Sequence, residues 1–195
     1  MRIPVPVLVV ALGCATYACA TPAPPRFDNA ERAYRGLQQA VRARSRAELW
    51  PLLDPRTRDT WQVAFRARRA SYELLPLLDR DDVANDPELR RLPPLPPART
   101  EELFAASLSD PELAHLGDDL DPKAPVLEMG PDAQVLSATG ERVPFRKAGD
   151  GTWGFSGLAE SARQAAQREL GLLDRIGRLV AVQRPGLLPG SMPWR

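Results

Sequence analysis

His115 is the one histidine of the chain, and it stands close to Asp118 and Asp119 at the end of a short stretch with helical texture. An imidazole beside carboxylates has the make-up of a general acid/base group. Spacing fixes no nucleophile or second ligand for it, so the preferred reading is a surface imidazole, with no catalytic residue assigned. Two acidic runs, Asp79, Asp81, Asp82 and Asp86, then Asp118, Asp119 and Asp121, carry the ligand type that calcium takes. Neither has the central Gly and closing Glu of an EF-hand loop, and both read as solvated loop. A phosphate-cradling Gly-rich loop, a His-Glu-x-x-His pair and a Gly-x-Ser-x-Gly elbow are all missing from the sequence. Both cysteines, Cys14 and Cys19, precede residue 20, so the chain after them has no thiol for a nucleophile, a disulfide or a metal. No cofactor and no metal are expected.

Trp61, Phe65, Tyr72, Trp153 and Phe155 are the candidates to line a pocket for a small apolar ligand; on helical and strand stripes, aromatics also serve as core, and that reading is preferred. Arg56, Arg58, Arg66, Arg68 and Arg69 form a basic run that suits either anionic headgroups or a solvated helix face. With 26 basic and 25 acidic residues, the formal charge of +1 falls to zero once a leader carrying Arg2 is removed. That balance argues against nucleic acid as a partner, because phosphate binding needs a concentrated positive field.

The stretch from Met1 to Ala20 has the order of an export signal: Arg2, an apolar run from Ile3 to Leu12, then a small-residue exit. Its apolar run is too short, and too interrupted by Pro4 and Pro6, to span a bilayer. Ala11-Leu12-Gly13-Cys14 resembles the lipobox of bacterial lipoproteins, with Ala11 and Leu12 in the reverse of the usual order. The resemblance implies lipidation of Cys14, with Cys19 as the alternative, and a membrane partner through that anchor. Ala18-Cys19-Ala20 equally satisfies the small-x-small rule for release before Thr21. The expected location is the cell envelope, as a periplasmic or outer-membrane lipoprotein, or else soluble in the periplasm or secreted.

About 170 residues then remain, enough for one core. Of the 21 prolines, many cluster in a tether over 21–27, a linker near Pro93 to Pro97 and a tail over 183–195, which leaves a single α+β domain over 28–182. Asp28 and Glu31 have capping-box spacing before a helix with Ala30, Tyr34, Leu37 and Val41 on its apolar face and Arg32, Arg35, Gln38, Arg42 and Arg46 turned to water. Ser45 and Glu48 repeat the box for a short helix with Leu49, Trp50, Leu52 and Leu53; Asp54-Pro55 opens a third, which Pro76 ends. A surface loop is expected over 79–99, then short helices from Glu101 to Leu108 and from Pro111 to Leu116. Four β-prone runs near 126–129, 133–138, 142–147 and 152–156 make an antiparallel meander, with Val143, Phe145, Trp153 and Phe155 on the apolar face and Pro144, Thr152 and Gly154 on the wet one. A last amphipathic helix spans Leu158 to Val182, with Gly171 and Gly177 as places for a bend.

This order of elements, with Arg46 to Leu53, Asp54-Pro55 and the closing Gly151-Thr152-Trp153-Gly154-Phe155, resembles the NTF2-like (SnoaL-like) α+β cone over residues 29–158. The resemblance implies a curved sheet around helices with a pocket at the wide end. Some relatives are isomerases or cyclases, with a His or Asp in the cone, and many only bind or dimerise. The expected function is a non-catalytic binding or interaction domain of the envelope, with a protein partner, a homodimer or a small apolar ligand all open. A small enzyme acting on an apolar ligand and a structural assembly factor are the alternatives.

Overall fold

Asp54 and Pro55 explain how the molecule is joined. In this computed structural model, which describes residues 26–118, 120–121, 123–137 and 140–185, helix α3 (Pro55–Leu74) begins where its cap, Asp54, touches the sheet. The Asp54 carboxylate accepts the Arg56 amide at 3.1 Å and the Thr57 hydroxyl, while its own N–H donates to the Phe155 carbonyl at 3.0 Å. Pro55 sits in the first turn, where no amide is needed.

Before it come α1 (Ala30–Arg42), α2 (Arg46–Leu49) and a 3-10 turn over Trp50–Leu52. Asn29 caps α1, accepting the Arg32 N–H at 2.8 Å, one residue later than the Asp28 expected; Asp28 instead pairs with Arg32 in solvent. Ala30, Tyr34, Leu37 and Val41 are buried as their spacing requires. Gln38 is buried too, and Arg46 half-buried, so neither is turned to water as expected. Ser45 caps α2 as read.

The strands are β1 (Val126–Met129), β2 (Asp132–Leu136), β3 (Arg142–Lys147) and β4 (Trp153–Phe155), antiparallel in the order β1-β2-β3-β4. Register puts Phe145 opposite Phe155 and Val135 opposite Val143, so these side chains share the face that α1 covers. Leu127, Met129 and Leu136 lie on or beside the opposite, open face. Gly154 was expected on the wet face and is buried. A Cβ there would lie 2.5 Å from Asp54 Cα, so only glycine lets α3 start this close to the strand.

Helix α8 (Ala159–Gln183) is continuous through Gly171 and Gly177. It runs beside α3 in the same direction: Leu53 bridges Phe155 at the start, Arg68 meets Glu169 midway, and the Asp79 N–H reaches Gln183 Oε1 at the far end. Twenty-five residues carry α8 about 37 Å, well past the sheet. Its far half needs its own cover, and the stretch over 79–99 provides it. Instead of a plain loop, this stretch holds α4 (Arg80–Asn85) and α5 (Pro87–Arg90), which bring Leu89 and Val83 onto Leu172, Ile176 and Val180. Short helices α6 (Thr100–Ser107) and α7 (Asp110–Asp118) close the main core, with Phe104 in ring contact with Trp61 and Trp50. The fold is thus α+β, with eight α-helices and four strands among the described residues. No helix among them is long and apolar enough to cross a membrane. Cys14, Cys19, the expected signal, most of the tether and nearly all of the tail lie outside the described residues.

Candidate functional site

Two antiparallel helices make the cleft with the most chemistry. Arg46 on α2 binds Asp110 at the start of α7, while at its other end the Gln38 amide donates to the Asp121 carbonyl at 3.1 Å. In between, α7 comes close to α1 at Gly117, where a Cβ would sit 3.2 Å from Val41 Cγ1. The gap left beside this contact is a cleft of about 580 Å³, within the range of small-molecule sites. Val41, Leu113 and Leu120 give it an apolar floor. Arg42, Arg44, Asp110 and Asp118 add charge of both signs to its lining.

Arg44 is held in an unusual way. Its N–H bonds the Val41 carbonyl at 3.0 Å and the Ser45 N–H bonds the Ala40 carbonyl at 3.0 Å, the two bonds of a Schellman motif closing α1. That motif needs a left-handed residue, and Arg44 takes φ 51°, the one positive φ among the described non-glycine residues. Glycine is the usual occupant because an L side chain is strained there by roughly 1 kcal/mol.

The aromatic candidates do not gather around a shared chamber. Trp61, Trp153 and Phe155 are buried in the main core, and Phe65 packs half-buried against it. Trp61 borders a cleft of only about 70 Å³. Tyr72 lies apart on α3, half-buried, its hydroxyl donating to the Pro93 carbonyl at 2.6 Å, and burial pushes its phenol pKa up. His115 is exposed on α7 and does not line the cleft.

No family model, curated protein or solved structure matches this chain.

Within the acidic runs, Asp82, Asp86 and Asp121 have partners inside the fold. Asp86 is buried, caps α5 through the amides of Glu88 and Leu89, and pairs with Arg175 at 2.7 Å; Asp82 accepts from Gln183. Asp121 offers its carbonyl to Tyr34 at 2.7 Å and its carboxylate to the Lys123 amide at 2.9 Å. Asp119 lies outside the described residues, and among those described no three His, Cys, Asp or Glu side chains converge on a metal position.

Among the charged pairs that sequence reasoning missed, one is the most deeply buried. Arg68, assigned to a basic face, turns inward and grips Glu169 with two bonds of 2.5 and 2.6 Å; the carboxylate is 2 % exposed and the guanidinium 16 %. Glu169 raises the pKa of Arg68 above its ordinary value, chiefly through these bonds. The signal was present, because Glu169 falls on the stripe of Ala162, Ala165, Leu172 and Leu173. A carboxylate on a buried stripe must find a cation. Arg44 left no such signal, since nothing in its sequence marks a left-handed residue.

Proposed function

We propose that this chain is a non-catalytic binding or interaction domain, exported and held at the cell envelope by lipid on Cys14, with the helices and meander forming an NTF2-like cone. Packing carries the non-catalytic part. The rings that would line an apolar reaction chamber, Trp61, Trp153 and Phe155, fill the space between α1, the sheet and α3, and His115 stands in none of the clefts beside them. A cone closed by its own core works through its surface. The Ala11 to Cys14 box carries the anchor.

Two measurements test this reading. Mass spectrometry of the mature N-terminus is expected to find acyl chains on Cys14, and Cys14→Ala to move the protein out of the membrane fraction; an intact Met1 terminus from cytosol overturns the export reading. Turnover of any isomerase or cyclase substrate that disappears in His115→Ala overturns the non-catalytic one.

The open sheet face favours a second reading, a homodimer. Leu127, Met129 and Leu136 are each more than half exposed, and β1 pairs with β2 alone. Light scattering at high concentration reads the mass directly, and Leu127→Lys is expected to halve it; a monomer throughout removes this reading.

A further inference from the structure

Among the described residues β1 is a bare edge of the sheet, and the alternation of its hydrogen bonds fixes what that edge offers. The Ser137 N–H donates to the Glu141 carbonyl at 2.7 Å and the Lys147 N–H to the Pro131 carbonyl at 2.7 Å, so Ala133 and Val135, in step with them, spend their backbone groups on β3. The alternate residues Asp132 and Gln134 bond instead to their partners on β1, Met129 and Leu127. The N–H and C=O groups of Val126 and Glu128 are thereby left pointing out of the sheet. Pro125 is in step with Leu127, so its missing donor falls on the β2 side and does not blunt the free edge.

We propose that this edge pairs antiparallel with the β1 edge of a second copy, about a two-fold axis through Leu127, to make one continuous sheet. In that register Val126 and Glu128 exchange both backbone bonds with the partner's Glu128 and the partner's Val126. Leu127 packs on the partner's Leu127 and Met129 on the partner's Pro125, which covers apolar side chains now 58 % and 53 % exposed. An axis through Glu128 would set two carboxylates opposite each other, and one through Val126 would set Met129 against the partner's Lys123. Glu128 lies on the covered face, where its carboxylate accepts the Ala30 N–H at 3.4 Å, and the chosen register leaves it there. A groove of about 690 Å³ runs between α1 and this strand, and its charged lining is Glu31, Glu128, Arg35 and Lys123. A two-fold axis presents a patch to itself, and a patch balanced in sign tolerates that where a patch of one sign repels. This inference rests on the homodimer reading and gives it a contact strand and a register.

The experiment is oxidative cross-linking of the full chain in a Cys14→Ala, Cys19→Ala background, with Leu127→Cys or Met129→Cys added. Across the axis the two Leu127 Cα atoms lie about 4.5 Å apart, within disulfide range, whereas the two Met129 positions are separated by roughly 13 Å. Leu127→Cys is expected to form a covalent dimer at least about tenfold faster than Met129→Cys. Hydrogen exchange at the Val126 and Glu128 amides is expected to slow by about tenfold or more as concentration rises, with Leu127 and Met129 unchanged because β2 already holds them. A dimer by mass that links equally at both positions has its sheets stacked face to face, which overturns this inference and leaves the homodimer reading standing. A chain monomeric at every concentration removes both. Protection of Val126 and Glu128 that does not depend on concentration also overturns the inference, since a segment of the same chain then covers the edge.

Discussion

Cutting one side of the Arg68–Glu169 pair is expected to cost far more than removing both. Glu169→Leu leaves a guanidinium 16 % exposed on α3 without its two bonds, and Arg68→Met leaves a carboxylate 2 % exposed between two helices. A buried charge deprived of its partner costs about 3–5 kcal/mol. The partial exposure of Arg68 places Glu169→Leu near the lower figure, and the deeper burial of Glu169 places Arg68→Met above it. Arg168 does not rescue the carboxylate, since it approaches only to 3.9 Å from a solvated position. The double variant replaces the pair with apolar side chains of similar length and is expected within about 1 kcal/mol of wild type. Urea unfolding at pH 7, followed by circular dichroism, gives the four free energies and a coupling of about 5 kcal/mol or more in magnitude. In melting temperature the single variants fall by roughly 6–20 °C, at 2–4 °C per kcal/mol for a chain of this size. If the double variant loses the sum of the two single losses, the two side chains act independently and the account of this pair is wrong.

Three further outcomes follow from local geometry. Gly154→Ala places a methyl 2.5 Å from Asp54 Cα and 2.7 Å from Asp54 N, backbone that the Asp54–Phe155 bond holds in place, so a loss of about 3 kcal/mol is expected; a urea midpoint equal to that of wild type contradicts it. Arg44→Gly relieves the left-handed strain but adds freedom to the unfolded chain, for a net gain of about 0.5–1 kcal/mol and a melting temperature about 1–4 °C higher; a lower one refutes the strain argument. Ser109→Ala removes the hydroxyl half of the capping box with Glu112 that starts α7, at about 1 kcal/mol near pH 7, while the Ser109 amide still donates to the Glu112 carboxylate. Because the Ser109 hydroxyl and amide hold the Glu112 carboxyl below its ordinary pKa, that share of stability is present above the unfolded value. It is lost as pH falls through the lowered folded one. The gap between wild type and Ser109→Ala is therefore expected to narrow in acid titrations below about pH 4.5, and a gap constant with pH argues against the box.

Element order and strand limits were legible because they rest on local chemistry. Ser45, Asp54-Pro55 and the turns at Gly130, Gly140 and Gly151, all with positive φ, act within a few residues and read correctly without the fold. Asp86-Pro87 has the same cap chemistry ahead of α5, but four residues are too few for a helical periodicity to show. Gly154 read as wet because alternation assumes that the second sheet face meets water. Only the arrival of Asp54 from 100 positions away buries it. The α1–α7 cleft was illegible for the same reason. Its cations, floor and carboxylate come from separate helices, and the conformation of Arg44 follows from the next helix starting at once after Ser45.

Since α3 and α8 leave the sheet together and the same way, their outer ends form a cantilever rooted at β4. The tip has a separate small cluster around Leu89, Ile176 and Val180, sealed by α4 and α5, while the root shares the main core with Trp61 and Ala165. Such a tip is able to melt and re-form as a unit while the meander stays intact. Amides of α8 beyond Glu169 then exchange at a shallower free energy than those near Ala162, so a single helix reports two tiers of stability, with the buried ion pair as the step between them.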